Sequence, residues 1–115
     1  MENFQRVAMI TGAASGIGKA VAVTLAEQGY QLCLVDLNQE KLDVLSEQLA
    51  LKTAVMVQSG DVTNAEFIQS VVQQIEQRFG RLDVALNNAG MTSAAKAIAD
   101  LNIQEWQQIM DVNVN

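Results

Sequence analysis

Short, almost wholly apolar runs alternate along this chain with longer stretches in which apolar residues return every three or four positions. Residues 7–11, VAMIT, are apolar nearly throughout, which predicts a strand covered on both faces. Ile17, Val21 and Leu25 then recur at helical spacing, and Gly29 follows as a C-terminal cap. Residues 32–35, with Cys33 among them, read as a second buried strand. Leu42, Leu45 and Leu49 form the stripe of a second helix from about Gln39 to Leu51, and residues 54–57 form a third strand. The third helix has the clearest pattern: Ile68, Val71, Val72, Ile75 and Phe79 mark one apolar face, and Gly80 closes it. Thr63 and Glu66 precede that face at the spacing of a capping box. Residues 82–86 predict a fourth strand. A polar and Ala-rich loop then leads to a last helix near Ile103, with Asn102 as cap and Trp106, Ile109 and Met110 inward.

This alternation builds βαβ crossovers and therefore an α/β fold with a parallel sheet. Four strands in a Rossmann-type, doubly wound arrangement take the order 3-2-1-4, with the second half of that fold incomplete. Ligands bind such sheets beyond the carboxyl ends of the strands, where the winding reverses. The chain carries no linker signal, so residues 1–115 are expected to form a single domain.

Composition narrows the chemistry. Seven basic against thirteen acidic residues give a net charge of −6, the wrong sign for a nucleic-acid partner. There is no His and a single Cys, which excludes a His-based triad, a thiolate metal site and an intrachain disulfide. No apolar run approaches the roughly 20 residues of a membrane span, and Met1–Arg6 does not resemble a secretion signal. The expectation is a cytoplasmic protein with no membrane contact and no metal, working through a borrowed cofactor.

Between the first strand and first helix stands Thr11-Gly12-Ala13-Ala14-Ser15-Gly16-Ile17-Gly18. Gly12 permits a sharp exit from the strand, Gly16 lets a diphosphate approach the backbone, and Gly18 lets the helix pack close to the sheet. The helix start supplies free N–H groups and a positive dipole end. A merely connecting Gly-rich turn is the plain alternative, and the P-loop pattern G-x-x-x-x-G-K-[ST] is absent. Asp36 ends the second strand, where an acid hydrogen-bonds the adenosine ribose hydroxyls of a dinucleotide; the alternative is an ordinary turn residue. A carboxylate there repels a 2′-phosphate. Ser15 and Leu37 hold the positions from which an Arg could compensate, and Lys19 belongs to a solvated helical turn. The expected cofactor is NAD rather than NADP. Asp61 and Val62 follow the third strand, placed to accept from an adenine amino group and to pack on the ring; an Asx-turn is equally compatible.

Taken together, the loop TGAASGIG, the acid Asp36, the pair Asp61-Val62 and the run Asn87-Asn88-Ala89-Gly90 resemble the short-chain dehydrogenase/reductase family, over the whole chain and in order. The resemblance implies hydride transfer between NAD(H) and an alcohol or ketone. It implies cofactor contacts at Gly12, Ser15, Gly16, Ile17, Gly18, Asp36, Leu37, Asp61, Val62, Asn88, Ala89 and Gly90. It also implies that Asn113, in WQQIMDVN, is the family's catalytic asparagine, which helps hold a water for a proton relay. The family's Ser and Tyr-x-x-x-Lys belong downstream of that asparagine, and the chain ends at Asn115. Its one tyrosine, Tyr30, has no Lys four residues on. The expectation is thus the front part of such an oxidoreductase, homo-oligomeric and inactive by itself. A non-catalytic NAD-binding module, or a half acting by association with another chain, is the alternative. Residues 91–95 are the one stretch expected to line a substrate pocket.

Overall fold

The structure, a computed structural model, describes residues 5–14 and 16–87. Seven elements follow one another: β1 (Val7–Thr11), α1 (Gly16–Glu27), β2 (Gln31–Asp36), α2 (Gln39–Leu49), β3 (Val55–Ser59), α3 (Ala65–Phe79) and β4 (Val84–Asn87). The four strands are parallel and lie in the order β3-β2-β1-β4, as the alternation predicted. The last predicted helix, with Asn102 and Trp106, lies outside the described residues.

Strand alternation splits the core into two layers. Val7 and Met9 of β1 and Cys33 and Val35 of β2 point to the face covered by α3. Ala8, Ile10, Leu32 and Leu34 point to the opposite face, covered by α1 and α2. On α3 the predicted stripe is the buried one: Ile68, Val71, Val72 and Ile75 lie in the core, with Phe79 packed beside them. Each such aliphatic removes roughly 1.5–3 kcal/mol worth of apolar surface from water, so a charge at Ile75 would undo the layer. Leu42, Leu45 and Leu49 bury α2 in the same way, although the helix ends at Leu49 and Leu51 is exposed.

Two expectations are corrected. The face of α1 that meets the sheet is Gly18, Ala22 and Ala26, not Ile17, Val21 and Leu25. Val21 and Leu25 pack only at its flanks, and Ile17 is 70% exposed. Small residues at i, i+4 and i+8 let the helix backbone approach the sheet, which a row of branched side chains would hold away. The second correction concerns α3. Its cap is Asn64, whose side chain accepts from Phe67 N–H at 3.1 Å, and not the Thr63–Glu66 box. Thr63 is already engaged, because Asp61 accepts both its N–H and its hydroxyl at 2.9 and 2.7 Å.

Helix ends otherwise follow the sequence signals. After α1, Tyr30 N–H reaches Leu25 carbonyl at 3.0 Å and Gly29 N–H reaches Ala26 at 3.1 Å, with Gly29 at φ +89°. This is the Schellman arrangement, which needs a residue free to adopt positive φ. Among the described residues no helix is long and apolar enough to cross a membrane.

Candidate functional site

The register of the sheet brings the strand ends level. Thr11 lies opposite Val35 and Asn87, and Asp36 lies opposite Ser59. The turns that leave β1, β2 and β3 are therefore neighbours in space, although Gly12 and Gly60 stand far apart in the sequence. Chemistry collects at this edge because the chain turns out of the ladder here and loops from separate strands converge.

Gly12 leaves β1 at φ +64°, a conformation that a side chain disfavours. The next two amides then fasten to the end of β2. Ala13 N–H donates to Val35 carbonyl at 3.1 Å, and Ala14 N–H donates to Asp36 Oδ2 at 3.0 Å. Asp36 Oδ1 accepts from Asn38 N–H at 3.1 Å, and Asp36 carbonyl accepts from Gly60 N–H at 3.1 Å. One half-buried residue thus joins the Gly-rich loop, the β2–α2 turn and the β3–α3 turn. An ionised carboxylate offers about four acceptor directions. Two are taken by backbone N–H groups, which leaves each oxygen able to accept once more.

Gly16 opens α1 at φ +59°, and a Cβ built there would meet no protein atom within 4 Å. The glycine faces open space rather than neighbouring structure. Gly18 faces the sheet, as its role in close packing requires. Lys19 is exposed in the first turn of α1, as expected.

A cleft of about 200 Å³ lies over the ends of β1, β2 and β3, lined by Gly12, Asp36, Leu37, Gly60, Asp61, Val62 and Thr63. Leu37 is exposed and Val62 buried, giving an apolar floor and flank beside two carboxylates. Asp61 is fully exposed. The Thr63 hydroxyl and then the Thr63 N–H hold its pKa below the ordinary carboxylate value. The Asx-turn expected at Asp61 is present, and its carboxylate still borders the cleft. A larger hollow of about 550 Å³ runs between α1 and α2, lined by Ala14 and Gly16 of the Gly-rich loop together with Lys19, Lys41 and Val44. No strand residue lines it; the loop borders both spaces, and the smaller cleft is the one at which Gly12, the acid and the apolar wall converge.

Of the residues singled out from the sequence, Gly12, Asp36, Leu37, Asp61 and Val62 meet around this cleft, with Gly16 and Gly18 on the adjoining loop and helix start. Ile17 is on the outer side of α1. Ser15, Asn88, Ala89, Gly90, the stretch 91–95 and Asn113 lie outside the described residues. The sequence reading overlooked Gly60 and Thr63. A Cβ on Gly60 would run into the Phe67 ring, so the glycine lets the β3–α3 turn lie against α3 and shape the cleft wall. The signal available was a glycine directly between a strand end and an Asp-x-Thr turn.

The profile of the short chain dehydrogenase family matches residues 6–115. An uncharacterised oxidoreductase of Staphylococcus aureus (strain USA300) is 40% identical over 109 residues, 95% of this chain and 46% of the relative. A second, from Staphylococcus epidermidis, is 37% identical over 110 residues, 96% of this chain and 46% of the relative. The chain therefore spans about half the length of the curated relatives it matches. Among solved structures, a short chain dehydrogenase/reductase from Burkholderia phymatum in complex with NAD superposes with a TM-score of 0.72 at 34% identity. That match covers 76% of this chain and 31% of the other. L-sorbose reductase from Gluconobacter frateurii, complexed with NADPH and L-sorbose, gives a TM-score of 0.71 at 27% identity, over 91% of this chain and 44% of the other. With this fold, this strand order and a profile match over nearly its whole length, the chain belongs to the short chain dehydrogenase family.

Proposed function

We propose that the carboxyl edge of the sheet binds NAD(H), and that the reaction served is hydride transfer between that cofactor and a small alcohol or ketone. The observation that carries this reading is the state of Asp36. Its carboxylate stands at the rim of the cleft, carries no ion pair among the described residues, and retains one acceptor direction on each oxygen. A vicinal ribose diol supplies two hydroxyl donors, which match those two directions. A 2′-phosphate would set a dianion against a carboxylate, with Leu37 beside it and Ser15 at the other compensating position. NAD is preferred to NADP on this ground.

The remaining groups fit the same ligand. Gly16 leaves open space above the start of α1, where N–H groups and the helix dipole favour a diphosphate. Val62 and Leu37 provide apolar contact for an adenine ring, with Asp61 as an acceptor for its amino group. By the family resemblance Ser15, Ile17, Asn88, Ala89 and Gly90 complete the cofactor contacts and Asn113 the proton relay. Bound NAD would supply the hydride acceptor or donor, and this chain's residues bind and orient it.

The same reading makes the 115-residue chain, assayed alone, a cofactor binder without turnover. It contains no His and no Tyr-x-x-x-Lys. Tyr30 precedes β2 and so sits at the opposite end of the sheet from the cleft. General acid–base transfer contributes on the order of 10² to 10⁴ in rate. A cytoplasmic, homo-oligomeric protein acting on small molecules completes the proposal. Calorimetry with NAD and NADP tests it: NAD is expected to bind more tightly, and tighter NADP binding by the unaltered chain would overturn the assignment. NADH formation from a panel of secondary alcohols is expected to stay at background. Turnover by a monomer of 12.5 kDa would refute both the inactivity and the association.

A further inference from the structure

We infer that Asp36 is also the positioning residue of the Gly-rich loop, so that the site's ribose and diphosphate regions are coupled through one carboxylate. The inference rests on the dinucleotide reading above. In a parallel ladder successive carbonyls of one strand face opposite neighbours. Val35 carbonyl faces β1 and takes Ala13 N–H at 3.1 Å, whereas Asp36 carbonyl faces β3 and takes Gly60 N–H at 3.1 Å. The next amide of the loop, that of Ala14, therefore has no carbonyl to meet on β2. Asp36 Oδ2 takes that place, at 3.0 Å. Ala14 is buried and the bond itself part-buried, so without the carboxylate its N–H would lose its protein partner at the margin of the core.

The loop so held runs directly into Gly16 and the start of α1. A charge-assisted bond is about twice as strong as a neutral one, and this one anchors the loop two residues before α1 begins. Asp36 would then influence diphosphate binding even for a ligand with no ribose hydroxyl to offer it. A role confined to the ribose would not.

The test titrates the full chain, as wild type, Asp36→Ala and Asp36→Asn, with NAD⁺ and with 2′,3′-dideoxyadenosine diphosphate, which lacks both hydroxyls. Asp36→Ala is expected to bind the dideoxy compound about tenfold more weakly than wild type. Asp36→Asn is expected to bind it within about threefold of wild type, because an amide oxygen still accepts from Ala14 N–H. Equal affinity of wild type and Asp36→Ala for the dideoxy compound, with NAD⁺ alone weakened, overturns the loop role and leaves the dinucleotide reading standing. A wild type that binds neither ligand removes that reading and the inference built on it. Hydrogen exchange in the ligand-free wild type decides the matter even if Asp36→Ala does not fold. Ala14 amide exchanging as slowly as that of Ala13 supports the anchor, and exchange at the free-peptide rate overturns it.

Discussion

At the amino-terminal end of the sheet, Asp83 Oδ2 accepts from Val7 N–H at 2.8 Å, and Asp83 N–H returns a bond to Val7 carbonyl at 2.9 Å. Arg81 clamps the same carboxylate with both prongs, Nε to Oδ2 at 2.8 Å and Nη2 to Oδ1 at 2.7 Å. At the carboxyl end Asp36 likewise accepts two hydrogen bonds from backbone amides, but no cation reaches it among the described residues. Each aspartate ties a strand end to a neighbouring segment, yet the first is ion-paired with three acceptor directions used, and the second has no cation and two directions spare. A carboxylate clamped by a guanidinium contributes to stability and has little charge left for a ligand. A carboxylate held by N–H groups alone is oriented without being neutralised, which suits it to recognition.

The largest expected effect lies at the carboxyl end. Gly16→Val places a branched side chain where φ is +59° and where only open space stands above the backbone. The left-handed conformation costs an L-residue roughly 1–2 kcal/mol, and the new methyls would fill the position proposed for the diphosphate. NAD affinity is expected to fall by at least about 100-fold, with most of the melting cooperativity kept. Unchanged affinity in calorimetry would take the loop out of the site.

Asp83→Ala probes the other end. It orphans Val7 N–H and releases Arg81, at an expected loss of about 2 kcal/mol in chemical denaturation. NAD affinity should be unaltered. A variant of full stability, or one that loses NAD binding at native-like structure, would break the division between the two ends.

Next in size is a change of coenzyme preference. Asp36→Ala with Leu37→Arg removes the repulsive charge and supplies a partner for a 2′-phosphate, so the NAD-to-NADP affinity ratio is expected to drop by about tenfold or more. If that ratio stays put while both affinities fall together, Asp36 acts on the loop and not on the ribose.

Cys33 sits midway along β2, between the two ends and opposite Met9 and Met56. Burial pushes its thiol from 9.0 up to about 12, with Arg78 a smaller opposing influence. The neutral thiol is thus favoured in the fold. The unfolded chain releases this proton near pH 9, so stability is whole below that value and declines as pH rises towards 12. At pH 9.5 the deficit attributable to Cys33 is on the order of 1 kcal/mol or less. Comparing the pH dependence of wild type and Cys33→Ala between pH 8 and 9.5 should show a shallower decline in the variant. Parallel curves would mean that the middle of the sheet is less dry than its packing indicates.

Periodicity was enough to read the strands, the stripes of α2 and α3 and the order 3-2-1-4, because each is a property of spacing along the chain and of which faces must be covered. The glycine pattern and the acid at the end of β2 were legible for a similar reason: the roles proposed for them depend on local backbone freedom and on distance from a strand. The true inner face of α1 was not. Ile17 looks like a core residue by hydropathy, and only the closeness with which a helix packs on a sheet selects Gly18, Ala22 and Ala26 instead. The capping of α3 went the same way, since Asp61 and Asn64 compete with Thr63 and Glu66 for the same few amides and geometry alone chooses between them. Gly60 became visible only against the Phe67 ring, and the bond from Ala14 to Asp36 only once β1 and β2 were in register. By itself the sequence determined which elements form and which residue types stand at their ends. The tertiary structure decided which hydrogen bonds those ends make: the amide of Ala14 meets a carboxylate 22 residues on, and at α3 the folded geometry selects among acceptors that stand side by side in the sequence.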